Sequence, residues 1–442
     1  MKTFRQLVNL LCAFVVSFCS ANLAADDREL SDRVINASVM IYANLKHGFG
    51  EDREPSGRWK GAGFVIDRER GWILTNAHVA AFGPSELRVQ FLDETRKIKA
   101  EKIYVDSKHD IAIVGISPDE MADFAEELSL DCSYVLRRGE KVISVGHPRG
   151  HEFSVSFGVL SGTKDFDAEG TLYTSDVLVE SGSSGGPVVS RETGLVLGIN
   201  TAKYDDSDVG LLTSVRDACR ITNPLFAGVD PSRPVLGFQM LTVDGKFTEI
   251  VGHVHDSSSG LKEGDRIYQI DGKDWSPDRD GELEDNLRIY AQGSVTLSVG
   301  SKYRQIDLNI KKRGSAHQRK WLYFSGMTFT ESLHGDIRYR NGGIESPVIT
   351  LQSVDDTHDD SQDLSVSDYA DVLRVDGIRP ENLLDMYYQI SEAKRMGREV
   401  EVIFRDWDIT PEWIGYPFSH SFEVNDLETN LELPSLDPER VL

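Results

Sequence analysis

Cysteine is scarce in this chain of 442 residues: there are four, and two of them, Cys12 and Cys19, sit near the N-terminus. That scarcity excludes a disulfide-dense scaffold, so the fold relies on its hydrophobic core. Cys132 and Cys219 can bridge in an oxidising compartment or remain separate buried thiols, and the sequence leaves both open. Positive charge is short as well. Lys and Arg total 48 against 72 Asp and Glu, a net charge of -24, which argues against nucleic acid and anionic membrane surfaces as partners. The apolar run Leu7–Cys19 falls short of the roughly 20 residues that span a bilayer. With Lys2 and Arg5 before it and small residues from Ser20 to Ala25 after it, the run reads as a secretory signal, cleaved after Ala21, Ala24 or Ala25. The expectation is a periplasmic or otherwise secreted protein with no stable membrane anchor.

Long helical periodicity is missing from the first half of the chain. Short Val/Ile-rich runs instead recur between Gly, Asp and Asn clusters, among them Ser38–Tyr42, Trp72–Thr75, Ile111–Ile116, Lys141–Val145, Val177–Val179 and Leu195–Thr201. This spacing predicts all-β structure, with enough strand for two small barrels. A Pro-containing joint, Val229 to Pro234, then reads as a linker. Two mutually similar segments follow. Leu236-Gly237-Phe238 opens the first and Gly326-Met327-Thr328-Phe329 the second. Downstream, each repeats an apolar run closed by Asp-Gly, at Asp271-Gly272 and Asp376-Gly377, and continues into a predicted helix, 282–291 and 382–396, and then a strand. A duplicated module is the simplest account.

Serine hydrolysis needs a base for the hydroxyl proton, an anion to orient that base, and donors for the oxyanion. His78 in Thr75-Asn76-Ala77-His78-Val79 suits the base, an imidazole having an ordinary pKa of about 6.5. Asp110 precedes the apolar run Ile111–Val114 and suits the anion. Ser184 lies in Gly182-Ser183-Ser184-Gly185-Gly186-Pro187, whose glycines permit a strained nucleophile loop, with the amides of Gly182 and Ser184 as oxyanion donors. The pairs His147/His151 and His253/His255 lack a carboxylate or cysteine to complete a metal site, so neither metal nor cofactor is expected.

The motifs T-N-A-H-V, D-I-A-I-V and G-S-S-G-G-P, in that order, resemble the triad motifs of chymotrypsin-fold serine peptidases. With an export signal and two trailing modules, the match narrows to the HtrA/Do-like (Deg) proteases, over roughly residues 30 to 406. The resemblance implies a mainly β fold: a chymotrypsin-like double β-barrel protease domain at 28–228, then two α+β PDZ-like domains at 232–314 and 318–406. A signal at 1–25 and an acidic tail at 407–442 complete the expected organisation. It further implies degradation of unfolded exported polypeptides, capture of peptide C-termini at the PDZ modules (with Leu236, Gly237 and Phe238, and in the second module Gly326-Met327-Thr328-Phe329, at the carboxylate-binding loop), and a trimer-based homo-oligomer. A PDZ-bearing chaperone with an idle protease domain is the alternative. Where the family usually has Asn before the nucleophile, Ser183 stands here, one place off the G-x-S-G-G register. Digestive relatives carry Asp there, so their zymogen ion pair is not available.

Leu178 occupies the position that the fold assigns to the floor of the primary specificity pocket, while Thr201 and Ala202 lie on the run expected to pair with substrate backbone. An apolar floor predicts small or medium aliphatic side chains at the cleaved position. Profiling with a peptide library checks this, and a strong preference for Lys or Arg there rules it out.

Overall fold

The computed structural model describes residues 27–46, 56–166, 170–203, 209–244, 246–254, 257–277, 281–290, 293–300, 304–312, 315, 318–332, 348–354, 370–405, 417–429 and 431; the expected export signal lies outside them. A helix, α1, at 27–37 leads into six strands: β1 (Ser38–Leu45), β2 (Gly57–Asp67), β3 (Trp72–Thr75), β4 (Ser85–Gln90), β5 (Ile98–Asp106) and β6 (Ile111–Gly115). They close into a barrel in the order β1-β2-β3-β6-β5-β4. A second closed barrel, ordered β10-β11-β12-β9-β8-β7, comprises β7 (Lys141–Gly146), β8 (Ser154–Phe166), β9 (Gly170–Ser175), β10 (Pro187–Ser190), β11 (Val196–Lys203) and β12 (Gly210–Ser214). The fold is mainly β, with the expected double barrel.

Strands β3 and β6 are apolar on both faces because they separate two cores. Ile73, Ala112 and Val114 fill the first barrel, while Leu74, Ile111 and Ile113 join the core that continues into the second. Strand β5 escapes a search for apolar runs because Lys99 and Glu101 point to solvent on either side of buried Ala100. Val177–Val179, expected as a strand, is loop. Val177 and Val179 are buried there and Leu178 faces out, an alternation without a ladder partner.

Helix α2 (Ala77–Ala80) follows β3, and α3 (Val215–Phe226) follows β12. Cys219 on α3 is bridged to Cys132, which resolves the open choice in favour of a disulfide. Beyond α3 the joint at 229–234 packs instead of hanging free: Ser232 is fully buried and Arg233 Nε donates to Glu284 at 2.8 Å.

The first C-terminal module has β13 (Pro234–Val235), a hairpin of β14 (Phe238–Val243) and β15 (Lys246–Val254), and β16 (Ile267–Ile270), β17 (Lys273–Asp274), β18 (Gly293–Val299) and β19 (Arg304–Lys312). Its main sheet runs β13-β19-β18-β16-β17. The helix expected at 282–291 is a single turn, α4 (Leu283–Asn286), followed by a 3₁₀ turn at Leu287–Ile289.

The second module builds one sheet in the order β25-β24-β23-β22-β21-β20-β26. Its strands are β20 (Trp321–Phe324), β21 (Met327–Ser332), β22 (Val348–Val354), β23 (Asp371–Val375), β24 (Val400–Arg405), β25 (Pro417–Phe422) and β26 (Leu427–Thr429). Helix α5 (Leu383–Met396) starts where the side chain of Asn382 accepts from Asp385 N and ends at Gly397 in the left-handed conformation. One expectation is corrected here and another made specific. Gly326-Met327-Thr328-Phe329 does not open a carboxylate-binding loop; Ser325 and Gly326, both at positive φ, form the two-residue turn of the β20–β21 hairpin. The other concerns 407–442, expected as an acidic tail whose aromatics dock part of it on the folded body: that part forms strands, β25 and β26 adding to the two ends of the sheet and Phe422 entering its core.

The Cys132–Cys219 bridge closes a loop of 87 residues. Replacing both cysteines with serine is expected to cost about 2–4 kcal/mol of stability, read as a lower melting temperature that added reductant does not depress further.

Candidate active site

His78 is the second residue of α2, placed by the exit of β3 into a one-turn helix. Asp110 ends the β5–β6 turn with φ 52, a left-handed conformation that Asp tolerates better than most residues. The two meet closely: Asp110 Oδ1 accepts from His78 N at 2.9 Å and Oδ2 from the ring Nδ1 at 2.7 Å. A carboxylate only accepts, so Nδ1 carries a proton and the lone pair of a neutral ring lies on Nε2, as a general base requires.

Ser184 comes from the other barrel, on the turn before β10. Its Oγ donates to Thr201 O at 2.9 Å, and its own carbonyl accepts from Ala62 N on β2 at 2.7 Å. Asn76, buried just before α2, links the two halves, its Nδ2 donating to Asp110 O at 2.9 Å and to Thr201 Oγ1 at 3.2 Å. A Cβ on Gly61 of β2 would lie 2.5 Å from Val79 Cγ1 and 3.1 Å from Ser184 O, so the helix bearing His78 and the turn bearing Ser184 crowd the same glycine. The structure therefore brings His78, Asp110 and Ser184 to one barrel seam. Ser183, the neighbouring hydroxyl, is 1% exposed and points inward.

The turn before Ser184 is held by the 147–149 segment: His147 N donates to Gly182 O at 3.2 Å and Arg149 N to Ser181 O at 2.9 Å. Gly182 has φ 97, and a Cβ there would fall 2.4 Å from His147 O, so no other residue fits without rearrangement. His147 itself accepts from Phe153 N and donates to Val39 O, a neutral tautomer that burial favours by lowering its pKa. The role of the Gly146–Gly150 turn is thus a joint between barrels. Glu180 accepts from Lys203 Nζ at 3.1 Å and Arg149 Nε at 3.3 Å, and its pKa is lowered by the Lys203 hydrogen bond and the Arg149 charge. These two cations face the carboxylate from the end of β11 and from the 148–150 turn.

Leu178 is 52% exposed, on the loop that leads to Ser184. At the end of β11, Ala202 and Lys203 pair only with β12, and a bulge between Asn200 and Ala202 leaves Thr201 outside the regular ladder. In the first module, Phe238 is core, Leu236 packs against that core, and among the described residues β14 pairs with β15 alone. Strand β21 of the second module is hydrogen-bonded on both sides, by β20 and β22, so it offers no edge to a peptide. Among the described residues no group of three or more His, Cys, Asp or Glu could hold a metal ion, and no helix is long and apolar enough to cross a membrane.

Residues 61–199 match the family model of the trypsin-like peptidase domain. A probable periplasmic serine endoprotease, DegP-like, from Halomonas elongata is 29% identical over 287 residues, covering 57% of this chain and 58% of that protein. The serine protease Do-like HtrA of Bacillus subtilis is 29% identical over 300 residues, 64% of either chain. This chain thus spans 58 to 64% of the length of these two relatives. The solved HtrA-type protease AlgW with tripeptide has the same fold over 64% of this chain and 96% of its own, with TM-score 0.50 and 20% identity. Over residues 61–199 the chain is therefore similar to trypsin-like peptidase domains, and these relatives are named as DegP-like and HtrA/Do-like serine proteases.

Proposed function

We propose that this protein is a serine endopeptidase that cleaves unfolded or damaged exported polypeptides through an acyl-enzyme. The observation that carries the reading is the double hydrogen bond from His78 to Asp110 at the seam where Ser184 emerges from the opposite barrel. Ser184 Oγ leaves the Thr201 carbonyl for His78 Nε2, gives up its proton and attacks the substrate carbonyl carbon. Asp110 stabilises the imidazolium so formed. Gly182 N and Ser184 N receive the oxyanion. His78 then hands the proton to the leaving amine, and water, activated by the same imidazole, releases the acyl group.

Substrate backbone pairs with the exposed end of β11 at Thr201–Lys203, which favours extended and hence unfolded chains. Leu178 receives an aliphatic side chain at the cleaved position. Export is supported by the signal-like N-terminus, by the disulfide, which belongs to an oxidising compartment, and by the relatives' periplasmic names. The first module captures apolar C-termini along β14, where Leu241 and Val243 are exposed beside the open edge. Homo-oligomer assembly rests on the family resemblance alone.

Unfolded casein and a fluorophosphonate probe test the reading against the idle-protease chaperone. The wild type is expected to cleave and to be labelled, and Ser184→Ala to do neither while melting at the same temperature; a wild type inert to both favours the chaperone. Asp110→Asn should lower kcat on the order of 10⁴-fold, as in known Ser-His-Asp triads. A labelled peptide with an apolar C-terminus should bind the full-length Ser184→Ala protein at one site per chain, measured by calorimetry. A second equivalent site would mean that β21 opens.

A further inference from the structure

The turn that delivers Asp110 is anchored from outside the barrels. Asp106, at its start, is buried, and its Oδ1 accepts from His109 N at 2.9 Å and from His109 Nδ1 at 3.1 Å. The other oxygen, Oδ2, accepts at 2.7 Å from Nη1 of Arg288, a residue of the first C-terminal module with no exposed surface. Arg288 is itself fixed by its own module: Nε donates to Asp285 Oδ1 at 2.9 Å and Nη1 to Pro231 O at 2.9 Å. Asp285 returns to the turn, its Oδ2 lying 3.2 Å from His109 Nε2. Burial alone would discharge His109, but Asp285 and Asp106 outweigh it and raise its pKa to about 9. Two carboxylates thus face two cations in one buried set, which Lys108 Nζ approaches at 3.6 Å from Asp285 Oδ2. Lys108 extends it to Glu282, and Ser315, beyond the module's last strand, bonds both backbone groups of Val105 at 2.8 and 3.2 Å.

The peptidase domain supplies only half of this set. Asp106 and His109 immediately precede Asp110, whose φ of 52 departs from the usual backbone regions and needs its surroundings to hold it. We propose that Arg288 is a positioning residue of the peptidase site, acting through Asp106 and His109 to hold the Asp110 carboxylate against His78. The inference rests on the assignment of His78 and Asp110 to catalysis. Lysine cannot take its place fully, because Arg288 spends separate donors of one planar fork on Asp106, Asp285 and Pro231. Docking of the first module is thereby part of building the triad, in addition to any peptide capture.

The test uses the full-length chain with Arg288→Met, Arg288→Lys and, as a control within the same module, Arg304→Met, which pairs with Asp265 of that module. With fluorescent casein, Arg288→Met is expected to lose at least tenfold in kcat with KM within about twofold of wild type, Arg288→Lys to fall between, and Arg304→Met to match wild type. In a Ser184→Ala background, isotope-labelled histidine followed by NMR should show His78 titrating at lower pH in Arg288→Met, as an imidazole with a loosened carboxylate does. A folded Arg288→Met protein with wild-type kcat and an unchanged His78 titration overturns the proposal. Should Arg288→Met fail to fold, the titration in Arg288→Lys decides, and an unchanged curve again overturns it. A wild type that neither cleaves nor labels refutes the proposed function, while the His78 titration still tests the positioning role by itself.

Discussion

The contact on which the site depends is the one between Ala62 of the first barrel and the Ser184–Gly185 peptide of the second. Ala62 N donates to Ser184 O at 2.7 Å, and a Cβ on Gly185 would stand 2.0 Å from Ala62 O. At this point the barrels therefore touch backbone to backbone, with Thr75 Oγ1 packed beside the contact. Because His78 and Asp110 belong to one barrel and Ser184 to the other, this contact sets the separation of the proposed base and nucleophile. Asn76, bonded to Asp110 O and Thr201 Oγ1, repeats the tie one layer away, and His147 bonded to Val39 O repeats it again. A site split between two rigid bodies needs several such ties, since a shift of about 1 Å in reacting groups costs on the order of 10²-fold in rate.

What the sequence made legible was the chemistry that tolerates few substitutes. G-S-S-G-G-P could be read because the turn admits only glycine at 182 and 185, and T-N-A-H-V because a base must follow a buried strand into a small-residue helix. The barrels were legible through β3 and β6, where burial on both faces leaves continuous apolar runs. Strand β5 was not, because its early outward residues are charged, and Val177–Val179 misled because a loop can alternate inward and outward side chains without a ladder. The ion set around Arg288 left no local trace at all. Asp106, Asp285 and Arg288 look like ordinary surface charges in a chain rich in acid, and only the three-dimensional docking removes them from water.

The two C-terminal modules show how one repeated pattern diverges through strand pairing. In the first, the leading strand β13 joins β19 and leaves β14 with a free edge; in the second, the leading strand β20 turns back tightly at Ser325-Gly326 and covers β21 instead. Each edge of a sheet presents unpaired amides and carbonyls that will bind another chain. Covering β21 from within, and adding β25 and β26 at the sheet's ends, exchanges a binding edge for a larger core containing Phe324, Phe329, Phe404 and Phe422. The same motif therefore precedes an open-edged strand in one copy and lies in a hairpin in the other, a distinction that depends on where the preceding strand goes.

Magnitudes decide where this peptidase site is most easily switched. In the structure Ser184 Oγ rests on the Thr201 carbonyl, a neutral hydrogen bond worth a net 0.5–1.5 kcal/mol or about a tenfold effect at most. Turning that hydroxyl toward His78 is thus a small step, and the resting bond does not by itself make an idle enzyme. Loss of the Asp110 carboxylate from His78 is far larger, on the order of 10⁴-fold in a triad of this kind. The hydroxyl is held by the peptidase domain's own β11, whereas the turn bearing Asp110 is held in part by Arg288 and Asp285 of the neighbouring module. In the proposed triad, control exerted from that module would therefore act with most leverage on the carboxylate end.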